Sequence, residues 1–445
     1  MTPRLDGRNP HDECGVLEPR ESPLRPKSPE KAKVNMEEAN PSWTFIPAPD
    51  FSVPVPPVTD AARGTLKSTW HFIRHALRRS SQSTFTPATD LDSPAESLLS
   101  NVTPMMDPVH AARGLTDSIG DTWFECESSS HRIRPVIGPP GCDVSAILQQ
   151  LAEQRELRVL GVPPADSLLE PSTDDAISAI EDDLPDRDVL VVPHLERWYL
   201  RHEEGLSRMR ALLERLMSVR NRVLIGCDSW TWAFLSHAVG IEDQLGTPLT
   251  LAPMDAEELY NWFRSTLPLE QYEFRRSGHD HLLFPELEHV DHGHDDDAEN
   301  LPNTTSDFFT TLAVTSRGNP GLARAIWTAS LRTRNPTDDA PQASNPNKTT
   351  LWVVSPDQLA TPQMPASNDR VHRFILHAIL LHGGLSLDSL ATVLSFPRDE
   401  IRRRVSELCR GRVLVTQDDL LRVNLIAYPI VRRDLQSEGF LTDAF

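Results

Sequence analysis

The sequence predicts an α/β fold built on a parallel β-sheet, and three observations support this prediction. Short apolar runs alternate with amphipathic helical segments through the middle of the chain, a pattern typical of strands covered by helices on both faces. Two of the apolar runs are stopped by proline, at Pro163 and Pro193. A Gly- and Pro-rich octapeptide, residues 138–145, joins the first run to a helix, as a phosphate-binding loop requires.

The elements of this fold follow one another in a regular order. Apolar residues at helical spacing predict helices over residues 144–157 and 203–219. Continuous apolar runs predict four strands, at residues 134–137, 157–162, 188–192 and 222–227.

The octapeptide Gly138-Pro139-Pro140-Gly141-Cys142-Asp143-Val144-Ser145 keeps the frame G-x-x-x-x-G-K-[ST] but loses residues that hold phosphate. Asp143 stands where the second Gly belongs and Val144 where the Lys belongs, so a point charge is lost and a carboxylate is added. Ser145 retains the hydroxyl that would meet Mg²⁺. We therefore expect impaired or absent nucleotide hydrolysis, with a rigid Pro-Gly turn as the alternative interpretation.

An ATPase also needs an acidic residue at the tip of the third strand, to hold Mg²⁺ and orient water. The tip here is Pro193-His194, and Glu196 is the nearest carboxylate after it, a weak candidate for a catalytic residue. A charge at a helix start explains Glu196 equally. Asp228 and Ser229 follow the fourth strand, where a polar residue can sense phosphate or simply form a turn.

Together these motifs resemble AAA+ and STAND-type P-loop ATPases. The octapeptide is similar to their GPPGxGKS/T loop, residues 318–326 look like the start of a helix in their lid, and residues 249–259 resemble the segment leading into it. The resemblance covers roughly residues 107–331 and implies a P-loop NTPase-like parallel sheet core (107–265) with a helical lid (266–331). It also implies that Arg324 could point at a bound phosphate, the alternative being a surface arginine.

The C-terminal part, residues 369–445, resembles a winged-helix domain: three predicted helices, a hairpin, and a helix after Tyr428. The third helix carries Arg398, Arg402 and Arg403, which could contact DNA or a protein partner. The net charge of −20 weighs against DNA, and a solvated helix face is a further alternative.

The remaining segments are polar. Residues 1–60 are predicted to be a disordered Pro-rich tail, and residues 332–368 a linker in which 351–354 could add an edge strand. Residues 61–80 predict a basic amphipathic helix that could contact a membrane surface, a partner or the chain itself. A His/Asp-rich insertion offers His292 and His294 as weak metal candidates, although a solvated acidic loop explains it adequately.

Composition limits the function classes. The 445 residues suffice for two or three domains. The five cysteines show neither paired nor zinc-site spacing, which favours a reducing, cytoplasmic setting. Neither a membrane span nor a signal peptide is predicted.

The sequence thus predicts a regulatory or scaffolding pseudo-ATPase with an unknown protein partner and with no cofactor or weakly bound ATP or ADP. It leaves open an ATP hydrolase with an atypical loop, a DNA-binding regulator, and a homo-oligomer.

Overall fold

The structure is a computed structural model that describes residues 43–55, 91–125, 132–164, 167–168, 177, 180, 189–202, 204–277, 281–285, 303–334 and 348–445. The chain divides into two compact units, residues 1–39 and 40–445, and every described residue lies in the second. The predicted helix at 61–80 and the candidate ligands His292 and His294 lie outside the described residues. None of the described helices is long and apolar enough to cross a membrane.

A six-stranded sheet forms the centre of the described structure. Its spatial order is β1-β7-β3-β6-β5-β4, and all neighbouring pairs are parallel except β1 with β7. The strand before the octapeptide, β3, is therefore central, and β6 separates it from β5. The strands are β1 (Phe45–Pro47), β3 (Ile133–Gly138), β4 (Arg158–Val159), β5 (Val189–Val192), β6 (Arg222–Asp228) and β7 (Leu249–Leu251).

The four strands predicted from apolar runs are confirmed, although β4 is shorter than its run. The helices that accompany the sheet in the first half are α1 (Glu96–Asn101), α2 (Pro108–Ile119), α3 (Asp121–Glu125), α4 (Val144–Arg155), α5 (Gly205–Ser218), α6 (Ser229–Val239) and α7 (Ile241–Leu245). Both α4 and α5 were predicted from their apolar spacing, and their buried residues include Ile147, Leu151, Met209 and Leu213. Burial of these stripes against the parallel strands holds the layers together.

The prediction of a disordered tail is wrong for residues 43–55. Phe45 pairs with Leu251 at the edge of the sheet, and Trp43 packs edge-on against Trp262 with ring centroids 5.4 Å apart. Trp43 and Phe45 are each 5% exposed. These two aromatic residues bury enough apolar surface to offset the ordering of a short segment that is otherwise rich in proline.

The segment after the sheet is less helical than predicted. It contains the helices α8 (Ala256–Thr266), α9 (Asn303–Ser316) and α10 (Pro320–Ser330), together with a second sheet of order β2-β9-β10-β8. Its strands are β2 (Leu91–Asp92), β8 (Tyr272–Arg276), β9 (Leu331–Arg334) and β10 (Thr349–Val353). Residues 332–334 and 348–354 therefore belong to a folded region, not to a linker, and β10 is an inner strand because it pairs with both β8 and β9.

The C-terminal segment has the predicted order of elements. These are α11 (Arg370–Leu381), α12 (Leu387–Val393), α13 (Arg398–Arg410), the hairpin β11 (Leu414–Gln417) with β12 (Leu420–Val423), and α14 (Tyr428–Ser437). Ser386 caps α12 by accepting the backbone N–H of Ser389. Asp369 and His372 form a reciprocal capping pair at the start of α11, which the sequence reading missed.

Buried polar contacts join this C-terminal segment to the sheet layer. The Tyr428 hydroxyl accepts from Trp230 Nε1 and donates to Asp443 Oδ2, each at 3.0 Å. Asp443 Oδ2 also accepts from Ser229 Oγ at 2.5 Å, and Asp443 Oδ1 accepts from Arg432 Nε at 3.0 Å. Burial raises the pKa of the Asp443 carboxyl, and these donors oppose that rise by stabilising its charge.

Two further contacts cross the same interface. Thr231 Oγ1 donates to the carbonyl of Leu381, and His382 Nε2 accepts the backbone N–H of Arg201 at 3.3 Å. One apolar cluster includes Leu148 of α4, Leu322 of α10 and Leu376 of α11. The C-terminal segment is therefore part of the same packed body as the sheet.

Substitution Asp443→Asn is expected to lower the free energy of unfolding by about 2–4 kcal/mol, because an amide cannot satisfy the hydroxyl and guanidinium donors that now meet a carboxylate. Urea unfolding measures the loss. Asp419→Asn is the matched control, since Asp419 is exposed and has a φ of 60°, which Asn tolerates. Equal losses in the two variants would contradict the importance assigned to the network.

Candidate functional site

A cavity of about 580 Å³ lies at the carboxyl ends of β3, β5 and β6, where parallel sheets usually bind ligands. Its wall is made by the octapeptide, by the tips of these strands, by α10, and by the hairpin of the C-terminal segment. The polar side chains in this wall are Asp143, Ser145, His194, Glu196, Arg197, Asp228, Arg324, Gln417, Arg422 and Asn424.

The octapeptide forms a tight loop that leads directly into α4. Gly141 has a φ of 96° and Asp143 has φ 46° and ψ 40°, a left-handed conformation that glycine adopts freely and that Asp tolerates better than most residues. Asp143 thus takes the backbone conformation that a glycine would take most readily at this position. Val144 begins α4 and is only 9% exposed, so the position expected to carry a lysine carries an apolar side chain.

The start of α10 packs directly on this loop. Asn319 Nδ2 donates to the carbonyl of Pro140 at 2.9 Å, while Asn319 Oδ1 caps α10 by accepting the N–H of Leu322. A Cβ built on Gly321 would lie 2.0 Å from the carbonyl oxygen of Gly141. Only glycine permits this approach, which makes the Asn-Pro-Gly sequence a docking element for the loop.

Asp143 faces the cavity from the loop. Its side chain is accessible to the cavity, yet protein atoms surround it, and this partial burial raises the pKa of its carboxyl. The positive charges of Arg324 and Arg422 oppose the rise. The carboxylate therefore occupies a site whose nearby cations come from α10 and from the hairpin.

The strand tips add two more carboxyl groups. Glu196 Oε1 is 2.9 Å from Nδ1 of His194, and Glu196 is 8% exposed. Asp228 caps α6 by accepting the N–H of Trp230 at 2.9 Å. Burial raises the pKa of Asp228 well above its usual range, the charges of Glu196 and Asp443 raise it further, and the Trp230 hydrogen bond and Arg422 lower it.

The two guanidinium groups near Asp143 have different anchors. Arg422 Nη1 donates to the carbonyl of Gly383 at 2.8 Å, which holds β12 near α11. Arg324 Nη1 lies 3.1 Å from the sulfur of Met105, a weak acceptor. The sequence analysis found Arg324 but missed Arg422, because a basic residue in a predicted hairpin gives no sign that the hairpin covers the loop.

The other candidate residues do not join this cavity. Arg398, Arg402 and Arg403 lie on the exposed surface of α13, each close to a carboxylate: Arg398 pairs with Asp388, Arg402 lies 3.8 Å from Asp399, and Arg403 lies 4.0 Å from Glu400. Cys142 belongs to the loop, but its side chain is buried away from the cavity, and burial strongly raises the pKa of its thiol. Among the described residues no cluster of His, Cys, Asp or Glu could hold a metal ion.

Comparison with known proteins gives no sequence match: no family model and no curated protein matches the chain. Among solved structures, a Walker-type ATPase of Pyrococcus abyssi is similar at TM-score 0.26 and 11% identity, over 74% of this chain and 96% of that one. Cdc6p from Pyrobaculum aerophilum is similar at TM-score 0.30 and 12% identity, over 78% of this chain and 99% of that one.

The class of the fold therefore follows from the chain's own geometry. It is a mixed α/β protein with a parallel sheet core, and its central strand runs through a glycine-bearing loop into a helix, which is consistent with a P-loop NTPase-like fold.

Gly321→Ala is expected to lower the free energy of unfolding by about 2–3 kcal/mol, because the new methyl group would overlap the Gly141 carbonyl. In an unconstrained helix this change would be favourable, so a loss measured by thermal or urea unfolding reports the loop contact. Gly161→Ala is the matched control, since a Cβ there meets nothing within 4 Å. A stabilised Gly321→Ala protein would contradict this geometry.

A pH-dependent prediction comes from His382, which is 3% exposed and has its pKa lowered from 6.5 to about 4 by burial. The folded protein keeps this ring neutral while the unfolded chain protonates it, so its contribution is complete above pH 6.5 and is lost as the pH falls towards 4. His382→Asn cannot titrate, and its loss of the acceptor for the Arg201 N–H is independent of pH and so does not change its slope.

Relative to His382→Asn, the wild type should lose up to about 1.4 kcal/mol of unfolding free energy per pH unit across this interval. The carboxyl groups with raised pKa values titrate in both proteins, so their effect on the pH dependence of the unfolding free energy cancels when the two proteins are compared. Urea unfolding at several pH values provides the measurement, and the exposed His237→Asn is the control expected to keep the wild-type slope. Parallel curves for wild type and His382→Asn would refute the prediction.

Proposed function

We propose that this chain is a regulatory or scaffolding pseudo-ATPase of the AAA+/STAND type, which acts through protein partners and has impaired or absent nucleotide hydrolysis. One observation carries the proposal. The loop keeps a phosphate-loop course between β3 and α4, with Gly141 and Asp143 at positive φ, while the lysine position holds the buried Val144.

The charges around the cavity support this proposal. Its wall contains three carboxyl groups, Asp143, Glu196 and Asp228, and three guanidinium groups, Arg197, Arg324 and Arg422. A nucleotide phosphate chain brings several negative charges and needs an excess of positive charge around it. When its acidic groups are ionised, this wall offers no such excess, and Asp143 projects its charge from the loop itself.

The firm attachment of the C-terminal segment supports a scaffolding role. The order of its first three helices and its hairpin is similar to that of a winged-helix domain, and buried hydrogen bonds donated by Trp230 and Thr231 fix the segment to the sheet layer. A domain held in this way presents a constant surface to a partner, because separating the two parts would expose unpaired polar groups. The partner is a protein of unknown identity, and the setting is the cytoplasm.

An ATP- or ADP-binding protein with an atypical loop is the second candidate, and the raised pKa values of Asp143 and Asp228 favour it. Protonation of these carboxyls would leave Arg197, Arg324 and Arg422 as a net positive wall. Weak nucleotide binding that strengthens in mild acid would follow. Glu196 would then be the nearest group to a catalytic carboxylate, although it already pairs with His194.

DNA binding through α13 is the third candidate. Arg398, Arg402 and Arg403 are exposed, but a carboxylate lies within 4.0 Å of each of them. These carboxylates would oppose the approach of DNA phosphates. A surface of mixed positive and negative charge therefore suits contact with a protein better than contact with a nucleic acid.

Calorimetric titration of the protein with ATP and ADP, with and without Mg²⁺, tests the leading proposal. The double variant Asp143→Gly with Val144→Lys is the matched control, because it replaces the missing glycine and lysine and leaves Ser145 and Arg324 in place. We expect no heat of binding in the wild type at neutral pH and measurable binding, in the micromolar to millimolar range, in the double variant. Tight binding by the wild type would overturn the pseudo-ATPase proposal.

A further inference from the structure

A second and much smaller cavity, called the slot below, also borders the loop. Its floor is formed by Pro139 and Cys142 of the loop and by Ala252 after β7, and its far wall by Gly318 and Pro320 at the start of α10. Only about 10 Å³ of it remains open, which is roughly the space that one water molecule needs. Pro139 lines both the slot and the large cavity.

Aromatic side chains from distant parts of the sequence fill this slot. Phe445 and Phe51 meet edge to face with ring centroids 4.8 Å apart, and Tyr428 completes the lining. Phe445 is only 4% exposed. The lining of the slot is thus largely apolar and includes three aromatic rings, one of which is that of Phe445.

The segment that carries Phe445 is held by polar contacts on its other residues. The carbonyl of Leu441 accepts from His377 Nε2 at 3.1 Å, and Asp443 accepts from Ser229, Tyr428 and Arg432. These bonds bring the last residues from α14 across to the loop and place the Phe445 ring between the loop and α10. Residues 441–445, called the tail segment below, therefore have a fixed route into the slot.

We propose that the slot is a binding site for a planar aromatic ring, and that Phe445 occupies it as an internal ligand. A ligand that placed an aromatic ring in the slot and an anionic group in the large cavity, as a nucleoside phosphate does, would have to displace the tail segment. This inference deepens the proposed function: nucleotide is excluded by the charge at Asp143 and Val144, and independently by the occupied slot.

The expected size of the effect follows from the population of the open slot. A ligand that binds only when Phe445 has left has its affinity reduced by the fraction of molecules in which the slot is free. A ring as buried as Phe445 leaves rarely, so we take the free fraction to be below about one in ten. Removing the ring should then strengthen binding by at least about tenfold.

Adenosine is the first probe, because it carries an aromatic ring and no phosphate and so does not depend on the altered loop. Ligand-observed NMR would compare the wild type with Phe445→Ala and Phe440→Ala. Phe440 is the matched control, since it belongs to the same chain end but packs on Phe374 and His377, away from the slot. We expect adenosine to bind Phe445→Ala and neither of the other two proteins.

ADP is the second probe, in the background of Asp143→Gly with Val144→Lys. Adding Phe445→Ala should lower the Kd for ADP at least about tenfold and leave the Kd for inorganic pyrophosphate unchanged, because pyrophosphate does not enter the slot. Thermal unfolding checks that each variant is folded. If Phe445→Ala is not, Phe445→Val, which removes the ring and about half of the side-chain volume, replaces it.

The inference would be overturned if the wild type or Phe440→Ala bound adenosine as strongly as Phe445→Ala does. It would also be overturned if Phe445→Ala did not change the affinity for ADP. Neither result concerns the missing lysine, so the pseudo-ATPase proposal would stand. Conversely, tight ATP binding by the wild type would overturn the pseudo-ATPase proposal and the claim that Phe445 excludes nucleotide. Adenosine binding confined to Phe445→Ala would still support the binding site for an aromatic ring.

Discussion

The close approach of α10 to the loop after β3 is the contact on which the arrangement of the site depends. Gly321 rests against the Gly141 carbonyl, and Asn319 binds the Pro140 carbonyl from the same turn. With the two backbones in contact, Arg324 comes one turn later to the edge of the large cavity, and the aromatic slot closes behind the loop. A side chain at Gly321 would separate these elements, and one at Gly141 would strain a backbone whose φ is 96°.

The charges in the cavity explain why the chain needs this packing. Burial raises the pKa values of Asp143 and Asp228, so their ionised forms oppose folding at neutral pH. Arg324 and Arg422 lower the pKa of Asp143, and Arg422 also lowers that of Asp228, and both effects require that α10 and the hairpin lie close to the loop. A nucleotide would normally bring its own anionic groups to such arginines. Here the carboxylate of Asp143 is already present, so α10 and the hairpin can cover the loop without a bound anion.

Much of the sheet could be predicted from local sequence patterns. These patterns carry no information about packing between residues that are distant in sequence. The strands β3, β5 and β6 and the helices α4 and α5 follow from continuous apolar runs and helical spacing, which are properties of neighbouring residues. The edge strand β1 depends on two tryptophans more than two hundred positions apart, and β10 is an inner strand only because β8 and β9 flank it. In the site, the loop and Arg324 were found because a motif has fixed spacing, whereas Arg422 and Phe445 reach it through the placement of a whole domain.

Asp143 and Val144, which depart from the phosphate-loop motif, lie apart from Phe445, which lines the slot. The two features are therefore physically independent. In the two proposals above, Val144 and Asp143 act through charge at the start of α4, and Phe445 acts through volume in the slot. Restoring either feature alone would leave the other obstacle to a nucleotide in place. In the proposed function, two separate features weaken the binding of the same ligand, so the fold can keep its domains in one arrangement, and a constant arrangement is what a scaffold for protein partners requires.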